Sequence, residues 1–208
     1  RYVLPPVIKR FTARYPKVKL ILRQGSPTQI STLVTSGEAD VAIATEAIDQ
    51  FHELILLPCY QWNRCIVVPP KHSLLKLKKL TLEAINQYPI ITYDFAFTGR
   101  SKINQAFESR GLEPNVVLTA IDSDVIKTYV ELGLGIGILA NMAFDAKRDK
   151  NLRSIDASHL FEPSTTRIGI SRNTYLRGYI FDFIEMFAPH LNHANIQAKL
   201  DNSETDTV

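Results

Sequence analysis

Apolar residues recur at helical spacing near the start of the chain, at Leu4, Val7, Ile8 and Phe11, and Tyr15-Pro16 ends that pattern. Pro5 and Pro6 fall in the first turn of this predicted helix, where a missing N–H costs least. Lys17 to Gln24, "KVKLILRQ", predicts a strand. Ser26, Pro27 and Gln29 then read as N-cap, first helical residue and capping-box partner. Ile30, Leu33 and Val34 supply the apolar face of that second helix, and Gly37 its stop. Val41 to Ala44 is a short apolar strand, so this part predicts a β-α-β unit with parallel strands.

The middle of the chain repeats the alternation. Strands are predicted at Cys65–Val68, Ile90–Tyr93, Val116–Leu118 and Ile136–Leu139. One helix between them shows Ile103, Ala106 and Phe107 and closes at Gly111; another shows Val125, Ile126, Tyr129 and Val130. Near the end, Tyr179, Ile180, Phe183, Ile184 and Phe187 form a strongly amphipathic helix stopped by Pro189. Periodicity is lost from Asn192, which predicts a weakly ordered tail. The glycines of "ELGLGIGIL" (Glu131 to Leu139) precede an apolar strand, whereas a dinucleotide fingerprint places them after a strand and opening a helix. They predict close backbone packing instead.

Composition narrows the class. The 208 residues make one large or two small domains; 45% are hydrophobic and 22% charged, as in an ordinary globular protein. A net charge of +3, from 24 basic and 21 acidic residues, is too balanced for a nucleic-acid-reading surface on this chain. Four lysines and His72 lie between Lys71 and Lys79, a run read as a solvated edge rather than a phosphate-binding patch. No apolar run approaches membrane-spanning length, so no membrane partner is expected. The opening Arg1-Tyr2, without methionine, reads as a fragment of a longer protein. Cys59 and Cys65 read as small buried residues, which suits a reducing cytoplasm.

Candidate chemistry is sparse. Thr45 directly follows a predicted strand, Thr98 lies in the loop after Ile90–Tyr93, and Ser26 stands at a strand-to-helix junction. Hydroxyls and free N–H groups at such places favour a small anion or a carboxylate, though each residue taken alone also reads as a plain cap or turn. Arg100 either balances an anionic ligand or pairs on the surface, and Trp62 is core packing or a pocket wall. There is no G-x-S-x-G elbow and no H-E-x-x-H, and the five histidines are scattered. No enzyme, metal or cofactor is expected.

The stretch "YPKVKLILRQGSPTQISTLVTSGEADVAIAT" resembles the opening of the effector-binding domain of LysR-type transcriptional regulators, and "DSDVIKTYVELGLGIGIL" resembles its second-half signature. More narrowly, "LPCYQWNRCIVV", "FTGRS" and "DVIKTYV" are similar to the branch that activates sulfur assimilation and cysteine biosynthesis. The resemblance runs from Arg1 to about Leu191. It implies an α/β fold of two Rossmann-like subdomains joined by two crossover strands, periplasmic-binding-protein type II-like, with residues 1–60 and 164–208 in the first and 61–163 in the second. It also implies an effector in the cleft between them: sulfate, or N-acetylserine or O-acetylserine as inducer. Thr45 and Thr98 match the family's anion-binding threonines; Ser26 falls at a pocket-lining junction, with Trp62 near it. Phe95 and Phe97 would wall the cleft, Gly99 would add backbone donors, and Arg100 would stand at the rim.

Further implied partners are DNA, through an N-terminal winged helix-turn-helix outside this chain, RNA polymerase, and further copies in a homodimer or homotetramer. The family's Thr- and Gln-rich turn, a further source of anion ligands, lies just before the equivalent of Arg1, so this chain is expected to carry only part of the anion shell. The rival reading is a transport-type solute-binding protein for a small anion or amino acid on the same fold.

Overall fold

The Ser26 hydroxyl accepts the Gln29 N–H at 3.3 Å, and the Gln29 side-chain oxygen accepts the Ser26 N–H at 2.8 Å. This reciprocal capping box, with Pro27 as first residue, starts α2 (Pro27–Thr35) where the sequence predicts it. The computed structural model describes residues 2–45, 48–94, 100–172 and 175–205, the last four of these by backbone alone. The remaining helices are α1 (Leu4–Arg14), α3 (Leu82–Ile85), α4 (Arg100–Glu108), α5 (Ser123–Glu131), α6 (Gly178–Phe187) and α7 (His193–Thr205). The strands are β1 (Ala42–Ala44), β2 (Leu54–Trp62), β3 (Arg64–Val68), β4 (Ile90–Tyr93), β5 (Val116–Ala120), β6 (Ile136–Ala140), β7 (Arg153–Asp156) and β8 (Ser164–Ser171). The chain forms two compact units, residues 1–60 with 165–208, and residues 61–164.

The first unit holds a three-stranded sheet in the order β1-β8-β2, with β1 antiparallel to β8. Its main core joins Val7 and Phe11 of α1 to Ile180, Phe183, Ile184 and Phe187 of α6 over Leu57, Ile168 and Ile170 of the sheet. Phe11 meets Phe183 edge-to-face at 5.4 Å, a geometry that aromatic quadrupoles favour. Tyr15 donates its hydroxyl to Asp182, which also pairs with Arg14 at 2.9 Å, so the end of α1 is tied to α6.

Two expectations fail in this unit. Lys17–Gln24 forms no sheet ladder, so the predicted parallel β-α-β unit is not assembled. Val18 and Leu20 pack on the core while Ile21 and Leu22 stay exposed; the alternation holds from Val18 to Ile21 and breaks at Leu22, and no partner backbone among the described residues pairs with the segment. The segment expected to be a weakly ordered tail is helical from His193 to Thr205. Asn192 caps it by accepting the Asn195 N–H at 2.9 Å, Ile196 is fully buried, and the His193 ring stacks on Phe181 at 3.9 Å. Ile196 and Leu200 make one sparse apolar row, too thin to register as a period.

The second unit holds a five-stranded mixed sheet in the order β5-β4-β6-β3-β7. β4 runs parallel to β5 and β6, whereas β3 is antiparallel to β6 and β7. Ile66, Ile90, Ile103, Phe107, Ile136 and Ile138 form its core. The close-packing reading of the glycines holds: a Cβ on Gly135 would lie 2.4 Å from the Pro89 carbonyl oxygen, and one on Gly137 3.1 Å from Val130 and 3.2 Å from Ile126. The α5 face differs from expectation, because Val125 is exposed and Lys127 takes a buried place beside Ile126 and Val130. Cys59 and Cys65 are free and buried, and burial pushes both thiols up to about 11. Among the described residues no helix is long and apolar enough to cross a membrane.

Candidate functional site

β4, at the centre of the parallel part of the second sheet, delivers Thr92 and Tyr93 to its carboxyl end. The Thr92 hydroxyl is spent inside the core, donating to the Ile138 carbonyl at 2.9 Å. The Tyr93 hydroxyl lies 2.6 Å from that of Ser123, at the start of α5, and accepts the Ala140 N–H at 3.2 Å. One phenol thus pins the ends of β4 and β6 to the first turn of α5. Asp122 occupies the cap of α5, accepting the N–H groups of Asp124 and Val125 at 2.9 and 3.0 Å.

Arg100 opens α4 and turns back on β4. Its guanidinium donates to the Tyr93 carbonyl at 3.1 Å and to the Asn104 side-chain oxygen at 2.9 Å. Burial pushes the guanidinium down from its ordinary value, opposed by the nearby Asp94 carboxylate. The strand end before α4 therefore carries a fixed, partly desolvated positive charge. Thr98 and Gly99, with Phe95 and Phe97, lie outside the described residues.

In the first unit, Ser26 is half-buried and its oxygen receives an N–H, which leaves its own O–H to donate. Thr45, also half-buried, directly follows β1, and its hydroxyl has no hydrogen bond among the described residues. No hydrogen bond joins Ser26 to Thr45 among the described residues. Trp62 is buried at the end of β2 beneath Arg64, whose guanidinium carbon stands 5.1 Å from the ring centroid.

Sequence reasoning missed Tyr93, Ser123, Asn104 and Arg64. Only Tyr93 carried a signal, as the polar end of an apolar run. Among the described residues no group of three His, Cys, Asp or Glu could hold a metal ion. A surface depression of about 490 Å³, lined by Phe144, Ala146, Lys150, Leu152, Arg153 and Ser154, contains none of the predicted site residues. Taken unit by unit, the described candidates are the hydroxyls of Ser26 and Thr45 in the first and the Arg100 guanidinium in the second, groups of a kind that donate hydrogen bonds to anions.

The family model described as "LysR substrate binding domain" matches residues 1–192. The chain belongs to that family. The LysR-type domain is 56% identical to the HTH-type transcriptional regulator SsuR of Burkholderia cenocepacia over 200 residues, covering 96% of this chain and 65% of the relative. It is 53% identical to the HTH-type transcriptional regulator CysB of Haemophilus influenzae over 197 residues, covering 95% of this chain and 61% of the relative. Among solved structures, the cofactor-binding domain of the Cbl transcriptional regulator matches with a TM-score of 0.92 at 42% identity, over 96% of this chain and 88% of that one. The domain thus spans under two thirds of the length of those two curated relatives. Its fold is the periplasmic-binding-protein type II-like α/β fold of LysR effector-binding domains. The family and these relatives are transcriptional regulators, not enzymes.

Proposed function

We propose that the chain is the effector-sensing part of a LysR-type activator of sulfur assimilation and cysteine biosynthesis, working in the cytoplasm. The effector is a small anion, sulfate, or an acetylserine inducer (N-acetylserine or O-acetylserine). Its donors are the hydroxyls of Ser26, Thr45 and Thr98 and the N–H of Gly99, with Arg100 at the edge and Trp62 as apolar wall. The observation that carries this reading is the half-buried Thr45 hydroxyl, placed at a strand end with no hydrogen bond among the described residues. Sulfate stays ionised at neutral pH and only accepts hydrogen bonds, so it suits neutral donors. The likeness to CysB and to the Cbl domain supports the sulfur assignment over a solute-binding transport role.

In the full-length protein, DNA would be read by an N-terminal winged helix-turn-helix, and RNA polymerase would be recruited from the bound promoter. Self-association to a homodimer or homotetramer fits the exposed apolar side chains of Val117, Ile121, Val125, Leu132 and Leu134, gathered on the edge strand β5, on α5 and in the turns after them. Leu132→Glu should shift the full-length protein toward monomer in analytical ultracentrifugation.

The deciding experiment is calorimetric titration of the full-length protein with sulfate, N-acetylserine and phosphate, repeated on Thr45→Ala and Thr98→Ala. Saturable sulfate binding that both substitutions weaken is the expected result. Sulfate binding untouched by either substitution would remove these threonines from the site, and no binding of sulfate or acetylserine would overturn the sulfur reading.

A further inference from the structure

Residues 162–164 are gripped by two cations from different parts of the second unit. Lys102, in the first turn of α4, donates to the Pro163 carbonyl at 2.5 Å. Arg64, in β3, donates to the Glu162 carbonyl at 2.9 Å and to the Ser164 hydroxyl at 2.7 Å. Arg64 is 1% exposed and Ser164 fully buried, so the Arg64 part of this grip is shielded from water, whereas the Lys102 contact lies at the surface. The Lys102 ion pair with the Glu162 carboxylate, at 3.8 Å with that carboxylate 77% exposed, contributes little by comparison. The carbonyl contacts set the position of the segment.

That position matters because of what the chain does there. It leaves the first unit at Tyr60, within β2, and returns to it at Thr165, one residue into β8. Lys102 stands two residues after Arg100, in the helix that follows the proposed anion donors Thr98 and Gly99 in the sequence. Arg64 stands two residues after Trp62, the end of β2, and covers its ring. The first turn of α4 is thereby joined to the return strand through Lys102, and the return strand to the outgoing strand through Arg64.

We propose that Lys102 and Arg64 form a relay that transmits effector binding at the start of α4 to both crossover strands. Lys102 is a positioning residue: it holds the Pro163 carbonyl and does not touch the effector. An anion that orders or shifts the first turn of α4 displaces the Lys102 ammonium, and the 162–164 segment follows. A ligand shifts such an equilibrium only by binding its two states unequally, and this contact makes the α4 position part of that difference. The relay rests on the effector reading given above.

The test is hydrogen exchange of the full-length protein, with and without saturating sulfate, in wild type, Lys102→Met and Lys102→Arg, alongside the sulfate Kd of each. Without ligand, Lys102→Met should raise exchange of the amides between residues 162 and 168, and Lys102→Arg should restore wild-type rates. With sulfate, wild type should show altered exchange both in the first turn of α4 and at 162–168. Lys102→Met should keep its Kd within about threefold and lose only the 162–168 response. Unchanged ligand-free exchange at 162–168 in Lys102→Met would overturn the relay whatever sulfate does. So would a full sulfate response at 162–168 in that variant, or a Kd weakened more than about tenfold, which would place Lys102 in the pocket itself. Absence of sulfate binding in wild type would overturn the effector reading instead, with the relay then decided by the ligand-free arm.

Discussion

The Lys127 ammonium lies 2.9 and 3.1 Å from the two carboxylate oxygens of Asp149, with only 10% and 11% of the two side chains exposed. Lys127 also donates to the Ala143 carbonyl at 3.0 Å, and Asp149 accepts the Asp145 N–H at 2.9 Å, so the pair ties the middle of α5 to the 143–149 turn. Burying two charges costs desolvation, and the pair is sustained because each partner's remaining hydrogen bonds are met. Lys127→Met should destabilise the protein by about 3–5 kcal/mol, because it strands the Asp149 carboxylate. Lys127→Met with Asp149→Leu should be much milder. Urea unfolding of the two variants checks both outcomes.

Gly135 is held against the Pro89 carbonyl, where a methyl group would stand 2.4 Å from the oxygen. The contact is backbone on one side and a strand entry on the other, so neither can yield cheaply. Gly135→Ala should cost about 1–3 kcal/mol or more. Gly178→Ala, where no atom lies within 4 Å of the added carbon, is the control. A thermal unfolding comparison that ranks the two equally would refute the close-approach account.

His72 Nδ1 accepts the Leu74 N–H at 3.3 Å while its ring stands 4.7 Å from that of Tyr88. Burial holds the imidazole below its ordinary value of 6.5, so the folded chain resists a proton that the unfolded chain accepts. Its contribution is complete above that ordinary value and is lost as pH falls below it. A protonated ring also cannot accept the Leu74 N–H. Lowering pH from 7.5 to 5.5 should therefore loosen the turn at Ser73–Lys76, seen as lower protection of the Leu74 amide once its exchange rate is corrected for the intrinsic pH dependence, and His72→Phe should abolish that step. An NMR titration placing the His72 pKa above 6.5 would contradict this.

Ser26 joins two roles that one substitution can separate. Ser26→Ala removes the cap of α2 and should cost about 1 kcal/mol of stability. Ser26→Asp keeps a cap but sets a carboxylate where the proposed anion binds. Sulfate titration should show a far larger loss for Ser26→Asp than for Ser26→Ala, although Ser26→Asp is the more stable protein. If both bind sulfate as wild type does, Ser26 is a cap alone.

Local rules made part of this molecule readable in advance. The capping box of α2 needs only Ser26, Pro27 and Gln29, all within four residues, and physical chemistry allows those groups little else. The glycines at 135 and 137 announced close packing by lying at the entry of an apolar strand. The family resemblance extended that local reading to a two-unit fold. The strand expected at Lys17–Gln24 shows the limit: its alternation is local, but a ladder needs backbone from elsewhere. The same limit hid α7, whose stability comes from Ile196 and the His193–Phe181 stack rather than from its own periodicity.

By itself, then, the sequence determined the start of α2, the short apolar strands of the second unit, the tight glycine approaches and the place of Thr45 directly after β1, since each follows from neighbours within a few residues. Only the tertiary structure decided that Lys127 is buried with a partner 22 residues away and that Arg64 reaches 100 residues along the chain to Ser164. It alone decided that Lys102 holds the Pro163 carbonyl 61 residues away. A cation's period along a helix says where it points, whereas its role depends on which carboxylate or carbonyl the fold brings to meet it.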